Sequence, residues 1–301
     1  MSYVGELAAL LTAVFWTVTS MSFESAGKKV GSLSVNLIRL VLAFFIYAIY
    51  LKFTRGSFVP VDAGLERWLW LGLSGLVGFV LGDLMLFQAF VVVGARVSML
   101  IMSFTPPITA LIGWLMLDEV LSPMNWLGMA ITISGISLVI LKRQKSNGST
   151  RLPRLTSAYS IQGILLAFGG AVGQAVGLVL SKKGMGDYDP FASSQIRVIA
   201  GLVGFTAIIF ITRRWHKVAR AITHRPAMKR IALGSVFGPF LGVSFSLIAI
   251  QHTQAGIAAT IIAIVPVLII PPAILIFGER PNWKEIIGAA IAVAGVALFF
   301  I

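Results

Sequence analysis

The sequence predicts an all-α membrane protein with ten transmembrane helices arranged as two inverted five-helix repeats. Three observations predict it. First, 57% of the 301 residues are hydrophobic and only 12% are charged, against about 25% charged in soluble domains. Second, Asp, Glu, Lys and Arg are absent from Leu155 to Ser181 and from Ile231 to Gly278. A membrane helix needs about 20 consecutive, mostly apolar residues, so the second stretch holds two spans. Third, the chain resembles itself. At an offset of 160, residues 73–141 lie on 233–301 without gaps, and Gly82, Ala95, Pro106, Glu119, Gly128 and Gly135 meet identical residues. At an offset of 158, Gly5, Ala13, Ile38 and Arg39 meet Gly163, Ala171, Ile196 and Arg197. An odd number of spans per repeat turns the second copy upside down, which is the architecture of many secondary transporters.

The predicted helices run 4–23, 33–51, 68–90, 96–117, 124–141, 159–181, 192–212, 231–250, 255–277 and 284–301. No Lys or Arg precedes the first apolar stretch, so it reads as a retained helix rather than a signal peptide. Most links are short; the longer ones are 52–67, 142–158 and 213–230. The stretch 142–158 is polar and rich in turn residues, which suits a linker. It separates a first repeat, 1–141, from a second, 159–301. The long apolar runs exclude a barrel, whose strands alternate over short segments.

Composition narrows the chemistry. The net charge of +13 sits in loops, where lipid head groups and topology account for it without nucleic acid. Cysteine is absent and the three histidines have no metal-ligand spacing, so disulfides, thiol catalysis and cysteine metal centres are excluded. No cofactor is expected. Gly72-Leu73-Ser74-Gly75 has the form of an intramembrane serine protease motif, but no histidine lies within a span to act as base. Aspartate clusters that a prenyl transferase would use to hold magnesium are absent from the spans.

The polar residues inside the spans are therefore the informative ones. Arg39 and Arg197 are equivalent between repeats, and each needs a partner in an apolar setting. Asp83 is the carboxylate deepest in a span, and its repeat equivalent is Val243. At about 1.5 Å per helical residue, Arg39 and Asp83 lie roughly 9 and 10 Å in from the same face, so they are placed to pair. Pro106 and Pro266 recur in the fourth and ninth helices, where each removes a backbone donor and frees a carbonyl. Such backbone is tolerated only against protein or a wet cavity. Glycines at intervals of four, such as Gly78 and Gly82 or Gly169, Gly173 and Gly177, put small residues on one helix face and let backbones approach.

Taken in order, these features resemble the drug/metabolite transporters of the EamA type over nearly the full length. The resemblance rests on Trp16 with Lys28-Lys29 after it, an arginine in the second helix of each half, and Gly82–Ala95 leading to Pro106 and Leu117-Asp118-Glu119. Gly128 and Gly135 follow, and the second half repeats the order with Pro266, Gly278-Glu279, Gly288 and Gly295. It implies a cavity enclosed by the first, third, fourth, sixth, eighth and ninth helices. Candidate lining residues are then Trp16, Asp83, Gln88, Ser98, Thr105, Gln174, Gln251 and Thr260, with Arg39, Arg197, Pro106 and Pro266 as gate or structural residues. The mostly neutral mid-span lining favours a small neutral or zwitterionic, partly apolar metabolite, such as an amino acid, with a monomer or homodimer expected in the lipid bilayer; that it moves outward is what the resemblance implies. A nucleotide-sugar or sugar-phosphate exchanger, and a channel or structural membrane protein, are the alternatives.

Charge also predicts orientation. Loops on the side of the termini hold Lys52, Arg55, Arg67, Lys182 and Lys183, five basic residues; loops on the opposite side hold seventeen. Basic loops stay cytoplasmic, so both termini are expected outside the cytoplasm in the cell (inner) membrane.

Overall fold

The structure, a computed structural model, describes residues 3–93, 98, 101–143, 160–272 and 283–300. Among the described residues all regular structure is helical. Seven helices are long and apolar enough to cross a bilayer: Val4–Val30, Ser32–Arg55, Leu65–Ala89, Ile161–Met185, Pro190–Ile211, Arg225–His252 and Ala255–Pro272. Thr105–Leu117 and Ile286–Phe300 are shorter apolar helices. Most of the predicted linker, from position 144 onward, lies outside the described residues, as do Gly278 and Glu279.

Several helices run further than apolarity predicted. The first, α1 (Val4–Val30), carries Lys28 and Lys29 in its last turn, where positive charge is favourable against the helix dipole. Gly31, at φ 84°, turns the chain directly into α2 (Ser32–Arg55), so the loop predicted at 24–32 shrinks to a single residue.

The third span is α3 (Leu65–Gly75), a π-helical segment Leu76–Gly82, and α4 (Asp83–Val92). The same construction recurs in α10 (Arg225–Ser235), a π-helical segment Val236–Gly242, and α11 (Val243–His252). The two π segments start 236 − 76 = 160 residues apart, the offset of the sequence repeat. A π turn leaves carbonyls without regular partners and recurs at functional sites. In the second copy, Tyr47 Oη donates to Pro239 O at 2.7 Å and Phe240 O at 3.0 Å.

The helix predicted at 96–117 breaks before α5 (Thr105–Leu117), and the one predicted at 255–277 is divided into α12 (Ala255–Ile262) and α13 (Val265–Leu268). Pro106 and Pro266 were expected inside continuous helices. Both instead sit in the first turn of a restarted one, where a missing N–H costs nothing. The remaining long helices are α6 (Pro123–Arg143), α7 (Ile161–Met185), α8 (Pro190–Ile211) and α14 (Trp283–Ala297).

The predicted loop 213–230 is also corrected. It contains α9 (Trp215–Thr223), strongly amphipathic, with Val218 and Ala221 buried. His224 Nδ1 then accepts from Ala227 N–H and caps α10. A charged amphipathic turn has low mean hydropathy, so it does not register as a span.

The halves interlock. α1 packs against α10, α11 and α12 of the second half, while α7 packs against α3, α4 and α5 of the first. At the α7 crossing a Cβ on Gly177 would lie 2.9 Å from Gly78 Cα, so the backbones touch there. Gly75 does the same for α8: a Cβ would collide with the backbone of Arg197. That contact fixes the depth of Arg197 against the π segment.

Candidate functional site

Between the interlocked halves lies a cavity of about 240 Å³. Helices from both halves line it, with Trp16, Arg39, Asp83 and Thr105 from the first and Gln174 and Arg197 from the second. The charged residues on its wall are Arg39, Asp83 and Arg197.

Asp83 is the centre of a buried network. It begins α4 immediately after the π segment, is 7% exposed, and forms an ion pair with Arg39. Gln174 Nε2 donates to its other oxygen, Oδ1, at 2.7 Å and to Gly78 O at 3.3 Å. Gln174 thus ties α7 both to the carboxylate and to a carbonyl of the π segment. The Arg39 guanidinium lies 5.4 Å from the ring centres of both Phe23 and Phe87, where cation–π attraction offsets some of its desolvation.

Arg197 differs. It is 4% exposed and lies 4.8 Å over the Phe79 ring. Among the described residues it forms neither an ion pair nor a hydrogen bond, and its Nε is without a partner. Thr105 Oγ1 is likewise buried without a partner.

Of the expected lining residues, Trp16, Asp83, Thr105 and Gln174 line the cavity, as do Arg39, Arg197 and Pro266. Four do not. Gln88 is exposed on the outer face of α4. Ser98 is buried but is not part of the wall. Thr260 is buried and returns its hydroxyl to Gly256 O at 2.7 Å. Gln251 donates to Gly186 O at 2.9 Å and Tyr188 O at 3.1 Å, holding a turn near the termini. Pro106 is buried outside the wall. The phenylalanines were missed altogether, because an apolar residue in a span reads the same whether it faces lipid or cavity.

The face that holds the N-terminus is bound by a second set of polar contacts. Glu119 Oε2 accepts from Ala255 N–H at 2.8 Å, and its Oε1 pairs with Lys182 Nζ at 2.6 Å. Lys182 also donates to Thr253 O at 2.5 Å, and Thr253 Oγ1 donates to Glu6 Oε1 at 2.9 Å. Nearby, Tyr188 Oη donates to Asp62 Oδ1 at 2.9 Å, while Arg55 pairs with Asp62. Burial, and then the bond to Asp62, push the Tyr188 hydroxyl up to about 12. Burial raises the Asp62 carboxyl, but the Tyr188 bond and Arg55 outweigh it and hold it below its ordinary value.

Comparison with known proteins agrees with this architecture. The human protein solute carrier family 35 member G1 is 23% identical over 297 residues, covering 97% of this chain and 77% of that one. A protein of Clostridium kluyveri described as an uncharacterized transporter is 22% identical over 299 residues, covering 97% of this chain and 91% of its own. A solved crystal structure superposes with a TM-score of 0.74 at 16% identity, covering 99% of this chain and 97% of that one. The model of the EamA-like transporter family matches twice, over residues 3–141 and 161–301. This multi-pass membrane chain therefore belongs to the EamA-like transporter family.

Proposed function

We propose that the chain is a secondary transporter moving a small metabolite, such as an amino acid, across the cell membrane by alternating access. The carrying observation is a cavity walled by helices of both family-matched segments, with charged side chains on its wall. In this reading the chain has ten spans in two inverted repeats, 1–141 and 159–301, joined by the linker 142–158. A substrate held at the repeat interface is exposed to each side in turn as one repeat rocks against the other. The cross-half contacts of Glu119 and Lys182 close the face of the termini, and they must part when that face opens. The volume of about 240 Å³ lies below the ≈ 300–1,000 Å³ of drug-sized pockets. It favours a small metabolite over a nucleotide sugar. Outward movement is what the family resemblance implies.

Counterflow in proteoliposomes tests the activity. Vesicles preloaded with one member of an amino-acid and organic-acid panel should transiently accumulate the labelled form of that compound. Uptake that rises linearly with concentration and shows no counterflow would make the protein a channel. Orientation is tested separately, since the native chain has no cysteine. Ser2→Cys should react with an impermeant thiol reagent in intact cells and Gly148→Cys should not. The reverse pattern would overturn the assignment of the termini to the outside.

A further inference from the structure

Arg39 and Arg197 occupy equivalent positions of the two repeats, and both line the cavity. Arg39 is neutralised by Asp83. The residue equivalent to Asp83 in the second half is Val243, which also lines the cavity. Arg197 therefore has no carboxylate of its own: Asp83 lies within its electrostatic reach but is already paired with Arg39 and bonded by Gln174. A buried guanidinium without an anion is costly, and a chain that keeps one on a cavity wall leaves a place for an anion to fill. The cavity charges sum to +1 − 1 + 1 = +1 from Arg39, Asp83 and Arg197. The planar guanidinium fork matches a carboxylate through two parallel hydrogen bonds. Elsewhere the wall includes the apolar Ile262, Ala263 and Val265.

We propose that Arg197 anchors the carboxylate of a small substrate with an apolar tail, which takes on Arg197 the place that Asp83 takes on Arg39. This rests on the transporter reading for the word substrate, but the binding site stands or falls by itself. Phe79, stacked on the guanidinium, keeps the fork oriented, and the Gly75 contact holds its backbone at the depth of the π segment.

The test uses the purified full chain in detergent, with isovalerate and phenylacetate as probes and their primary amides as neutral isosteres. Thermal shift and calorimetric titration should show the acids binding more tightly than the amides by roughly 10- to 100-fold, the worth of a charge-assisted hydrogen bond. Arg197→Met should lose that preference, and its ligand-free Tm should be no lower than that of the native chain, because an uncompensated charge has been removed. Val243→Asp supplies a resident carboxylate beside the cavity and should abolish acid binding while leaving the arginine in place. Equal binding of acids and amides, no binding of either, or acid binding that survives Arg197→Met or Val243→Asp would each overturn the proposal. So would chloride alone reproducing the acid response. Acid binding through Arg197 without counterflow of labelled phenylacetate would leave the anchor standing and remove the transporter reading. Counterflow of the amides but not the acids would do the reverse.

Discussion

The cavity and the terminal face each hold an ion pair of the first half to which a polar side chain of the second half bonds, Gln174 on Asp83 and Tyr188 on Asp62, but they do so under different dielectric conditions. In the cavity, Arg39 and Asp83 are each 7% exposed, so neither has water to replace a lost partner. On the terminal face, Asp62 is about half exposed in its side chain and Arg55 about a quarter, and solvent can take over from a partner that leaves. The same chemical contact is thus a fixed structural element in one place and a reversible clasp in the other. The proposed alternating access would use both: a site that keeps its geometry while closed faces come apart.

The largest expected effect lies in the cavity. Arg39→Met strands Asp83 with Gln174 as its remaining hydrogen-bond partner, and breaking a buried pair from one side costs about 3–5 kcal/mol. Unfolding in detergent should register that loss. The double variant Arg39→Met with Asp83→Leu should recover most of it, since no stranded charge remains. If the single variant is as stable as the native chain, water reaches Asp83 freely and the contrast between the two regions collapses. Asp83→Asn separates structure from coupling. If Asp83 carries a coupled proton, this variant loses gradient-driven uptake and keeps substrate exchange; unchanged uptake would make Asp83 purely structural.

The pair between Arg39 and Asp83 was legible in the sequence because charges inside apolar spans are rare and costly to leave alone, and these two lie at matching depths. The all-helical, membrane-spanning class was legible for a related reason: hydropathy reports which segments avoid water. It does not report which side of a helix faces a cavity. Phe23, Phe79 and Phe87 were therefore invisible beside the lipid-facing residues, and Gln88 was placed on the wrong side of α4. The π segments, and the short helix Trp215–Thr223, depend on local hydrogen bonding that no apolar count records. Glu119 shows in the sequence only as a repeat match and as part of Leu117-Asp118-Glu119. Its partner Lys182 lies in the other repeat, at a separation that only the folded chain closes.

A smaller effect is expected where the terminal face is clasped. Lys182→Met removes the partner of Glu119 Oε1, while Oε2 keeps the Ala255 amide. The side chains are 23% and 10% exposed, and a partly solvated pair of this kind contributes about 1 kcal/mol. The stability change is therefore modest, but the conformational balance moves with it. In proteoliposomes, Trp16→Cys on the cavity wall should be labelled several-fold faster from the terminal side when Lys182→Met is added, about what 1 kcal/mol yields in an equilibrium. An unchanged labelling rate would show that this contact does not hold the face closed.

The smallest effect is a pH dependence at the edge of the same face. The Tyr188 hydroxyl ionises at about 12 in the folded chain against an ordinary 10.0, so folding favours its protonated form. The stability it contributes is fully present below about pH 10 and is lost as pH rises through about 12. Asp62 has the opposite sign: its carboxyl is held below the ordinary 3.8. Its contribution is present above that value and lost as pH falls through its folded-state value, so it stays ionised across the alkaline window. Melting temperatures measured from pH 9 to 12 should therefore fall more steeply for the native chain than for Tyr188→Phe, with other titrating groups cancelling in the difference. Parallel curves would mean that the Tyr188 bond to Asp62 is exchanged for water at no cost. The edge of the clasp would then be held by Arg55, which pairs with both Asp62 and Asp189, and by the stacking of Arg55 and Arg67 on the Tyr188 ring, neither of which the loss of a hydroxyl removes.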